Sequence, residues 1–332
     1  MKKKALITGI YGQDGLYLAK FLLDKGYDVT GLAKKKIVQT GINIGQVIHG
    51  DVSDSKFILD LIQEINPNEI YNLASQSSPA DSWSSVSQTF SVNGQGAVNI
   101  FESVLNIKSA TKIFHASSSE IFGKLLGPAD ETTSLNPQNP YAASKVYAHN
   151  MAMIYRESYG LHISCGILFN HESEKRPLRF LSQKIAYGAA CAALGIINSP
   201  HKNELGRPIV ENGYLTLGNM SVSRDWGYAP DYVQAMWLTL QQDNPEDFVI
   251  GTGKIRTIQD LCSCAYGAVG FDWRDRVISS SNLKRPMDSS VAVANPAKAK
   301  NVLGWEPKMK FEDMIARMVQ HQIVQLDNFK GN

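Results

Sequence analysis

Gly9, Gly12 and Gly15 follow the short apolar run Lys4–Thr8 at intervals of three, and no other feature limits the fold of this chain as strongly. The run reads as a strand. Residues 15–25 read as a helix with Leu16, Leu18, Phe21, Leu22 and Leu23 apolar, and Gly26 as its stop. Strand, glycine turn and helix in that order form a phosphate-binding corner. The first glycine permits the tight turn, the second lets backbone approach a pyrophosphate, and the third lets helix and strand pack closely. Such a corner commits the N-terminal part to βαβ units and a parallel sheet.

The alternation continues in the first half. Strands are predicted over 28–32, 46–50, 69–74, 112–117 and 162–168, and helices over 53–64, 86–107 and 141–159. Ser53 or Asp54 is the N-cap of the 53–64 helix, and the link 33–45 is too short for a full helix. The expected fold class is α/β, a Rossmann-type doubly wound parallel sheet over residues 1–170. After Asn170 loops lengthen, strands become sparse, and Pro, Asn and Gly cluster over 198–213. Helices are predicted at 229–242, 257–269 and 311–324, and a short one with Asn295 as N-cap and Pro296 as N1. Residues 171–332 should therefore form a smaller lobe, mainly for substrate, intertwined with the first.

Composition removes several functional classes. The chain has 332 residues, 43% hydrophobic and 19% charged, which suits an ordinary globular protein. A formal charge of +2 implies neither a nucleic-acid partner nor a basic membrane patch. No apolar stretch approaches the roughly 20 residues of a membrane span, and Lys2-Lys3-Lys4 runs straight into strand residues, unlike a signal peptide. Cys165, Cys191, Cys262 and Cys264 are scattered, so no metal site is expected, and the compartment is expected to be cytoplasmic and reducing.

Tyr141 and Lys145, four apart, share one face of a helix. There an ammonium lowers the phenol's pKa and makes Tyr141 a usable base on a hydroxyl, while Ser118 can orient that hydroxyl. This triad accounts for oxidation at one carbon. Glu120, two residues past Ser118 where a strand ends, adds a second acid–base group, although most glutamates are solvent-facing. On an aldose nucleotide, oxidation at C4 acidifies the C5 proton; a carboxylate removes it, water leaves from C6, and the hydride returns there. After the second strand, Ala33-Lys34-Lys35-Lys36 holds no carboxylate, and three cations there favour NADP. A solvated loop of lysines is the bland alternative.

The glycine corner and the Tyr141-Ala-Ala-Ser-Lys145 run together resemble the extended short-chain dehydrogenase/reductases. The runs Ala116-Ser-Ser-Ser-Glu-Ile-Phe-Gly-Lys124, Asn170-His-Glu-Ser173, Ser223-Arg-Asp-Trp-Gly227 and Asp231-Tyr-Val-Gln-Ala-Met-Trp237 narrow this. They resemble the GDP-mannose 4,6-dehydratase family, as does the stretch from Asn295 to Trp305, and the likeness runs from about Lys4 to the C-terminal helix.

That resemblance implies a catalytic set of Ser118, Glu120 and Tyr141, with Lys145 assisting. It implies NADP contacts from Gly9, Gly12, Gln13, Asp14, Gly15, Lys34, Lys35, Asp51, Val52, Leu73, Ala74, Ser75, Tyr141, Lys145, His171 and Arg176. It implies contacts to a GDP-sugar from Ser77, Ser118, Glu120, Asn170, Arg224, Arg285 and Asp288, the two arginines on the diphosphate. Asn93 stands where the superfamily carries an Asn in the middle of its long helix; an ordinary helix amide is the alternative. Trp226 and Trp237 read as core.

This chain also departs from the family. Ser118 replaces a Thr, Lys34 and Lys35 replace arginines, Gln88 replaces a Tyr, and Pro177 replaces a Gly. The segment after strand two, which builds a tetramer interface in the family, is shortened, so a homodimer or a homotetramer is expected. The stretch 195–214 is longer than usual and opens the alternative of a bulkier sugar such as GDP-manno-heptose. Two further readings are a nucleotide-sugar epimerase or 4-reductase, which has no need of Glu120, and a catalytically silent NADP sensor, which has no reason to keep the triad.

Overall fold

A computed structural model describes residues 2–35, 43–203, 205–220, 222–280 and 291–330. Lys36, Arg285 and Asp288 lie outside the described residues. The chain divides into two compact units. The first is Met1–Phe169, Ala229–Gly253 and Val293–Pro307; the second is Asn170–Tyr228, Lys254–Ala292 and Lys308–Asn332.

The first unit is built on a seven-stranded parallel sheet. Its strands in chain order are β1 (Lys4–Thr8), β2 (Asp28–Ala33), β3 (Gln46–His49), β4 (Glu69–Asn72), β5 (Lys112–Ala116), β6 (Ile163–Leu168) and the short Phe248–Ile250. In space they run Phe248–Ile250, β6, β5, β4, β1, β2, β3. The order reverses between β1 and β4, and such a switch opens a crevice at the carboxyl ends of the strands. Leu18 and Leu22 of helix α1 (Gln13–Asp24) share a core on one sheet face with Tyr232 and Met236 of helix Ala229–Leu240. On the other face, Ile58 and Leu61 of α2 (Ser55–Ile65) pack with Phe101, Val104, Ala148 and Ala152. Fully burying a side chain such as Leu22 or Phe101 contributes about 1.5–3 kcal/mol, so both helical layers are held firmly.

Several boundaries differ from the sequence expectation, each for a local reason. Helix α1 begins at Gln13, with Gly12 as its N-cap, so Gly15 lies inside the helix rather than at its start. Asp54, not Ser53, caps α2, its carboxylate accepting from the Phe57 amide at 3.0 Å. Strand β4 stops at Asn72 rather than residue 74, because the Thr8 hydroxyl oxygen takes the amides of Leu73 (3.1 Å) and Ala74 (3.0 Å).

The expected 86–107 helix is three pieces: α4 (Val86–Phe90), a wide π turn at Ser91–Gln95, and α5 (Gly96–Ile107). A separate short helix, α3 (Pro79–Ser82), precedes them. Helix α6 (Pro140–Tyr159) starts with Asn139 as N-cap and proline at N1, and ends at Gly160, whose φ of 70° is the left-handed value glycine adopts at no steric cost. Pro296, not Asn295, takes the N-cap position of helix Ala297–Leu303, and Asn295 Oδ1 accepts from the Ala297 amide at 3.3 Å.

In the second unit, helices Leu181–Ala193, Ile258–Gly267 and Phe311–Lys330 share a core around Tyr187, Leu261, Ile315 and Met318. Strands are more numerous than expected. Asn170–Glu172, Ser223–Tyr228, Ile255–Thr257 and Val291–Ala292 pair in one group, and Val277–Ser279, Tyr214–Leu217 and Val210–Glu211 in another. Strands this short show no alternation that a sequence pattern could register.

Candidate active site

Strand β5 ends at Ala116, and the next residues carry the first half of the chemistry. Ser118 caps a single 3₁₀ turn, Ser119–Phe122, its hydroxyl accepting from the Glu120 amide at 3.3 Å. Gly123 closes the turn with φ 62°, and a Cβ there would collide with the Asn136 carbonyl, so turn and 136–139 segment lie in direct contact. The Asn136 amide donates to the Ile121 carbonyl at 2.8 Å and fixes the same junction.

That junction leads directly into α6. Asn139 Oδ1 accepts from the Ala142 amide at 2.8 Å, and Asn139 Nδ2 donates to Glu120 Oε2 at 3.0 Å. Tyr141 is the second residue of the helix, and Lys145 lies one turn later. Lys145 Nζ donates to the Ala116 carbonyl at 2.8 Å and sits 5.9 Å from the centroid of the Tyr141 ring. Burial lowers the lysine's pKa to about 8, against an opposing push from the Cys165 thiol, so it remains largely a cation at neutral pH. Ser118, Tyr141 and Lys145 are buried and Glu120 is half-buried. Thus Ser118, Glu120, Tyr141 and Lys145 come together at the carboxyl edge of the sheet, stitched by the Asn139–Glu120 and Lys145–Ala116 bonds.

Asn93 is no ordinary helix amide. Buried in the π turn, its Oδ1 accepts from Ser75 Oγ (3.0 Å) and the Gln76 amide (2.9 Å). Its Nδ2 donates to the Gln76 carbonyl (3.2 Å) and to Ser144 Oγ (3.0 Å), which in turn donates to the Tyr141 carbonyl at 2.7 Å. Asn93 therefore clamps the loop after β4 to the helix of Tyr141, and a widened turn at a polar residue is a common functional device. Beneath it, Thr8 donates to Asn72 Oδ1 at 2.8 Å, which leaves Asn72 Nδ2 facing His115 Nδ1 at 3.1 Å. Burial, then Lys145 and His149 nearby, hold His115 well below the usual imidazole range and so neutral.

The glycine corner fits a dinucleotide phosphate. Gly9 has φ 72°, and a Cβ there would lie 2.9 Å from the Ala74 nitrogen. At Gly15 a Cβ would come within 2.6 Å of the Gly9 and Ile10 carbonyl oxygens. At Gly12 a Cβ would meet, among the described residues, the Gly9 oxygen alone, at 3.1 Å, so the space over the N-terminus of α1 stays clear for an anion. Gln13 and Asp14 form the first turn of that helix, Gln13 Nε2 donating to Asp14 Oδ1 at 3.2 Å.

Lys34 follows β2 directly and pairs with Asp51 at 2.6 Å, so two residues expected on different parts of a cofactor engage each other. Burial raises the Asp51 pKa, but Lys34 and the Ser53 amide outweigh it and hold the carboxyl below its usual range. The buried Val52 carbonyl accepts from Asn99 Nδ2 at 2.9 Å. Lys35 and Ser77 are exposed.

In the second unit Asn170 and His171 open a strand, in register with Trp226 and Gly227. Arg176 is engaged by its own neighbours: it pairs with buried Glu172 at 3.1 Å and stacks on Phe180, 3.7 Å from the ring centroid. Arg224 is buried, its Nη1 donating to the Ser223 carbonyl at 3.0 Å. Trp226 stacks on Phe311 within the core. Trp237, in the first unit, packs at the edge of the other core and donates to the Tyr27 hydroxyl at 3.0 Å. Among the described residues no group of His, Cys, Asp and Glu could hold a metal ion, and no helix is long and apolar enough to cross a membrane.

Of the residues that sequence reasoning missed, Asn139 matters most. The Asn139-Pro140 pair just before Tyr141 is a visible helix-start signal, but nothing in it reveals a second bond to Glu120.

A model of the GDP-mannose 4,6 dehydratase family matches residues 6–318. The chain is 39% identical over 340 residues to GDP-mannose 4,6 dehydratase 1 of Arabidopsis thaliana, covering 97% of this chain and 90% of that protein. It is 35% identical over 356 residues to the GDP-mannose 4,6 dehydratase of Homo sapiens, covering 96% and 91%. Among solved structures, UDP-glucose 4-epimerase of Thermotoga maritima superposes with a TM-score of 0.84 at 21% identity, covering 97% of this chain and 99% of that one. The dTDP-glucose 4,6-dehydratase of Bacillus anthracis, solved with NAD, gives 0.81 at 21% identity, covering 99% of each. These likenesses establish the doubly wound fold.

Proposed function

The chain belongs to the GDP-mannose 4,6-dehydratase family, and from that premise we propose that it converts GDP-mannose to GDP-4-keto-6-deoxymannose with NADP as a recycled cofactor. One observation carries the reading: the Glu120 carboxylate is bonded to the cap of the very helix that carries Tyr141 in its first turn. A site for simple oxidation needs Tyr141, Lys145 and a hydroxyl. A dehydratase also needs a carboxylate aimed at the neighbouring carbon.

The residues divide the work by their chemistry. Ser118 holds the C4 hydroxyl, and Tyr141 takes its proton; the buried cation of Lys145 favours the ionised phenol. When bound, the nicotinamide supplies the place to which a hydride is lent and from which it is recovered. Once C4 is a ketone, Glu120 removes the acidified C5 proton and passes it to the C6 hydroxyl, which leaves as water; C5 then regains a proton from the site, balancing the one that Tyr141 took from the C4 hydroxyl.

Gly9, Gly12, Gln13, Asp14 and Gly15 would hold the pyrophosphate, with Asp51, Val52, Leu73, Ala74 and Ser75 along the rest of the cofactor. Lys34 and Lys35 would meet a 2′-phosphate, since β2 ends without a carboxylate. His171 and Arg176 are assigned toward the cofactor. Ser77, Asn170, Arg224, Arg285 and Asp288 are assigned toward the GDP-sugar.

The protein is proposed to work as a homo-oligomer in the cytoplasm. Phe90 and Tyr147, rings 5.2 Å apart, form an exposed apolar patch that suits a second copy, and all four cysteines are free thiols.

The test is incubation with GDP-mannose and NADP. The expected product has lost one water and carries a 4-ketone, while unchanged GDP-mannose overturns the reading. Tighter binding of NAD than NADP would overturn the cofactor assignment alone.

A further inference from the structure

We infer that Asn139 is a positioning residue for Glu120, locking the C5 base to the helix that carries the C4 base. The inference rests on the dehydratase reading and deepens it.

The choice of residue type is informative. As an N-cap, position 139 would be served about equally by Asp or Ser, because each offers an oxygen to the first-turn amides. Asp offers acceptors alone and Ser carries donor and acceptor on one atom, whereas an amide accepts from α6 through Oδ1 and donates to a carboxylate through a separate atom, Nδ2. Here both ends are in use, and the 2.8 Å bond from the Ala142 amide to Oδ1 leaves Nδ2 to face Glu120. Among the described residues Asn139 is the one hydrogen-bond donor to the Glu120 carboxylate, and it reaches Oε2, so Oε1 remains for a reacting atom.

The surroundings make the contact rigid on both sides. Glu120 sits in a 3₁₀ turn capped by Ser118, and the Asn136–Ile121 bond and the close approach at Gly123 hold that turn to the 136–139 segment. Pro140 fixes the backbone immediately after Asn139. Glu120 and Tyr141 therefore move as one body. Two proton transfers on adjacent carbons of one sugar need that constancy, since a displacement of about 1 Å can lower a rate by about 10²-fold.

The decisive variant is Asn139→Asp. It keeps the cap acceptor and the shape, but it replaces the donor to Glu120 with a like charge. N139S is its companion, keeping a cap oxygen without the charge, its one hydroxyl donor sitting on that same oxygen of a shorter side chain. Both should fold, with thermal midpoints near wild type. In single turnover with NADP and GDP-mannose, C4 oxidation, read by the absorbance of reduced nicotinamide, should stay near normal. Exchange of the C5 hydrogen with solvent deuterium should fall about 10–100-fold in N139D, and by less in N139S.

Wild-type exchange in N139D overturns the inference. So does an equal fall in C4 oxidation and C5 exchange, which would mean Asn139 merely caps the helix. A wild-type enzyme that releases no water from GDP-mannose would defeat the substrate assignment instead. The Asn139 inference then stands or falls on a crystal structure of N139D, where the Glu120 carboxylate should have swung away from residue 139. A carboxylate in its wild-type place overturns it.

Discussion

Two carboxylates of the same sheet, at opposite edges, show how differently a glutamate can be used. Glu69 opens β4 at the amino edge and is 2% exposed. Its Oε1 accepts from Tyr27 Oη (3.0 Å), Lys3 Nζ (3.3 Å) and Gln241 Nε2 (3.3 Å), and its Oε2 from Tyr71 Oη (2.7 Å). Glu120 lies past β5 at the carboxyl edge, half-buried, with the single amide of Asn139 on one oxygen.

The phenols around Glu69 are pushed away from ionisation. Burial first, then the Glu69 charge, raise Tyr71 well above the usual phenol range. Tyr141, in contrast, has a buried lysine cation near its ring. Surrounded by donors on both oxygens, a carboxylate is scaffold; held by one donor on one oxygen, it keeps the other free to take a proton. The crevice of a doubly wound sheet opens on the carboxyl edge, which is where the sparsely bonded carboxylate sits.

The sharpest way to break this contrast is Glu120→Gln. The amide fills the same space but accepts no proton, so C5 exchange and dehydration should fall about 10²–10⁴-fold, the usual scale for a lost general base. Thermal stability should be unchanged. Calorimetry showing a large loss of stability would move Glu120 to the scaffold class, and C5 exchange at the wild-type rate would assign the step to another base.

Lys145→Met tests the carboxyl edge from its other side. The depression of this lysine from 10.5 to about 8 corresponds to roughly 3 kcal/mol spent on burying a charge at neutral pH. Because the folded value lies below the unfolded one, the folded protein binds fewer protons between about pH 8 and 10.5, and stability rises with pH across that window. The variant should lose activity by about 10²-fold or more, gain stability at pH 7, and lose that upward slope. Denaturant titrations at pH 7, 8 and 10 decide it, and an unchanged slope overturns the burial argument.

Glu69→Gln should do the reverse of Glu120→Gln. Replacing a buried, multiply bonded carboxylate leaves the lysine and one donor mismatched, at a cost of about 2 kcal/mol in stability. Turnover should be unchanged at temperatures where the variant is folded, because Glu69 lies at the amino edge. A fall in kcat without a fall in stability would erase the distinction between the edges.

The same contrast explains how much of the molecule was legible in its sequence. Strand β1, the glycine corner and the Tyr141–Lys145 spacing follow from patterns of three and four residues, which local geometry enforces, and Glu120 is set apart by its distance of two residues from Ser118. The end of β4 was invisible because it is set by the Thr8 hydroxyl, some 64 residues away in sequence from Asn72. The π turn was hidden because one widened turn leaves the apolar face of the 86–107 stretch almost undisturbed. Asn139 looked like any N-cap, since its second bond crosses to another segment. The Lys34–Asp51 pair joins the ends of two strands, and no local pattern announces such a contact.

That pair supplies the smallest expected effect, and its counterpart at the amino edge is Lys3–Glu69. At the amino edge the acid is fully buried; Lys34 is 57% exposed and Asp51 28%. An ion pair so open to water contributes about 0–1 kcal/mol to stability. On the proposed assignment of Lys34 to a 2′-phosphate, Asp51 would hold the lysine at the end of β2 and release it when the phosphate arrives. Lys34→Ala should therefore weaken NADP binding about tenfold, or 1.4 kcal/mol, while NAD affinity and thermal midpoint stay where they are. The NADP loss should shrink as salt rises, because an exposed charge is screened. Isothermal titration with both cofactors at low and high salt decides the matter. Equal weakening of NAD and NADP would place Lys34 beside Lys3, as a scaffold cation, and remove the main support for NADP over NAD.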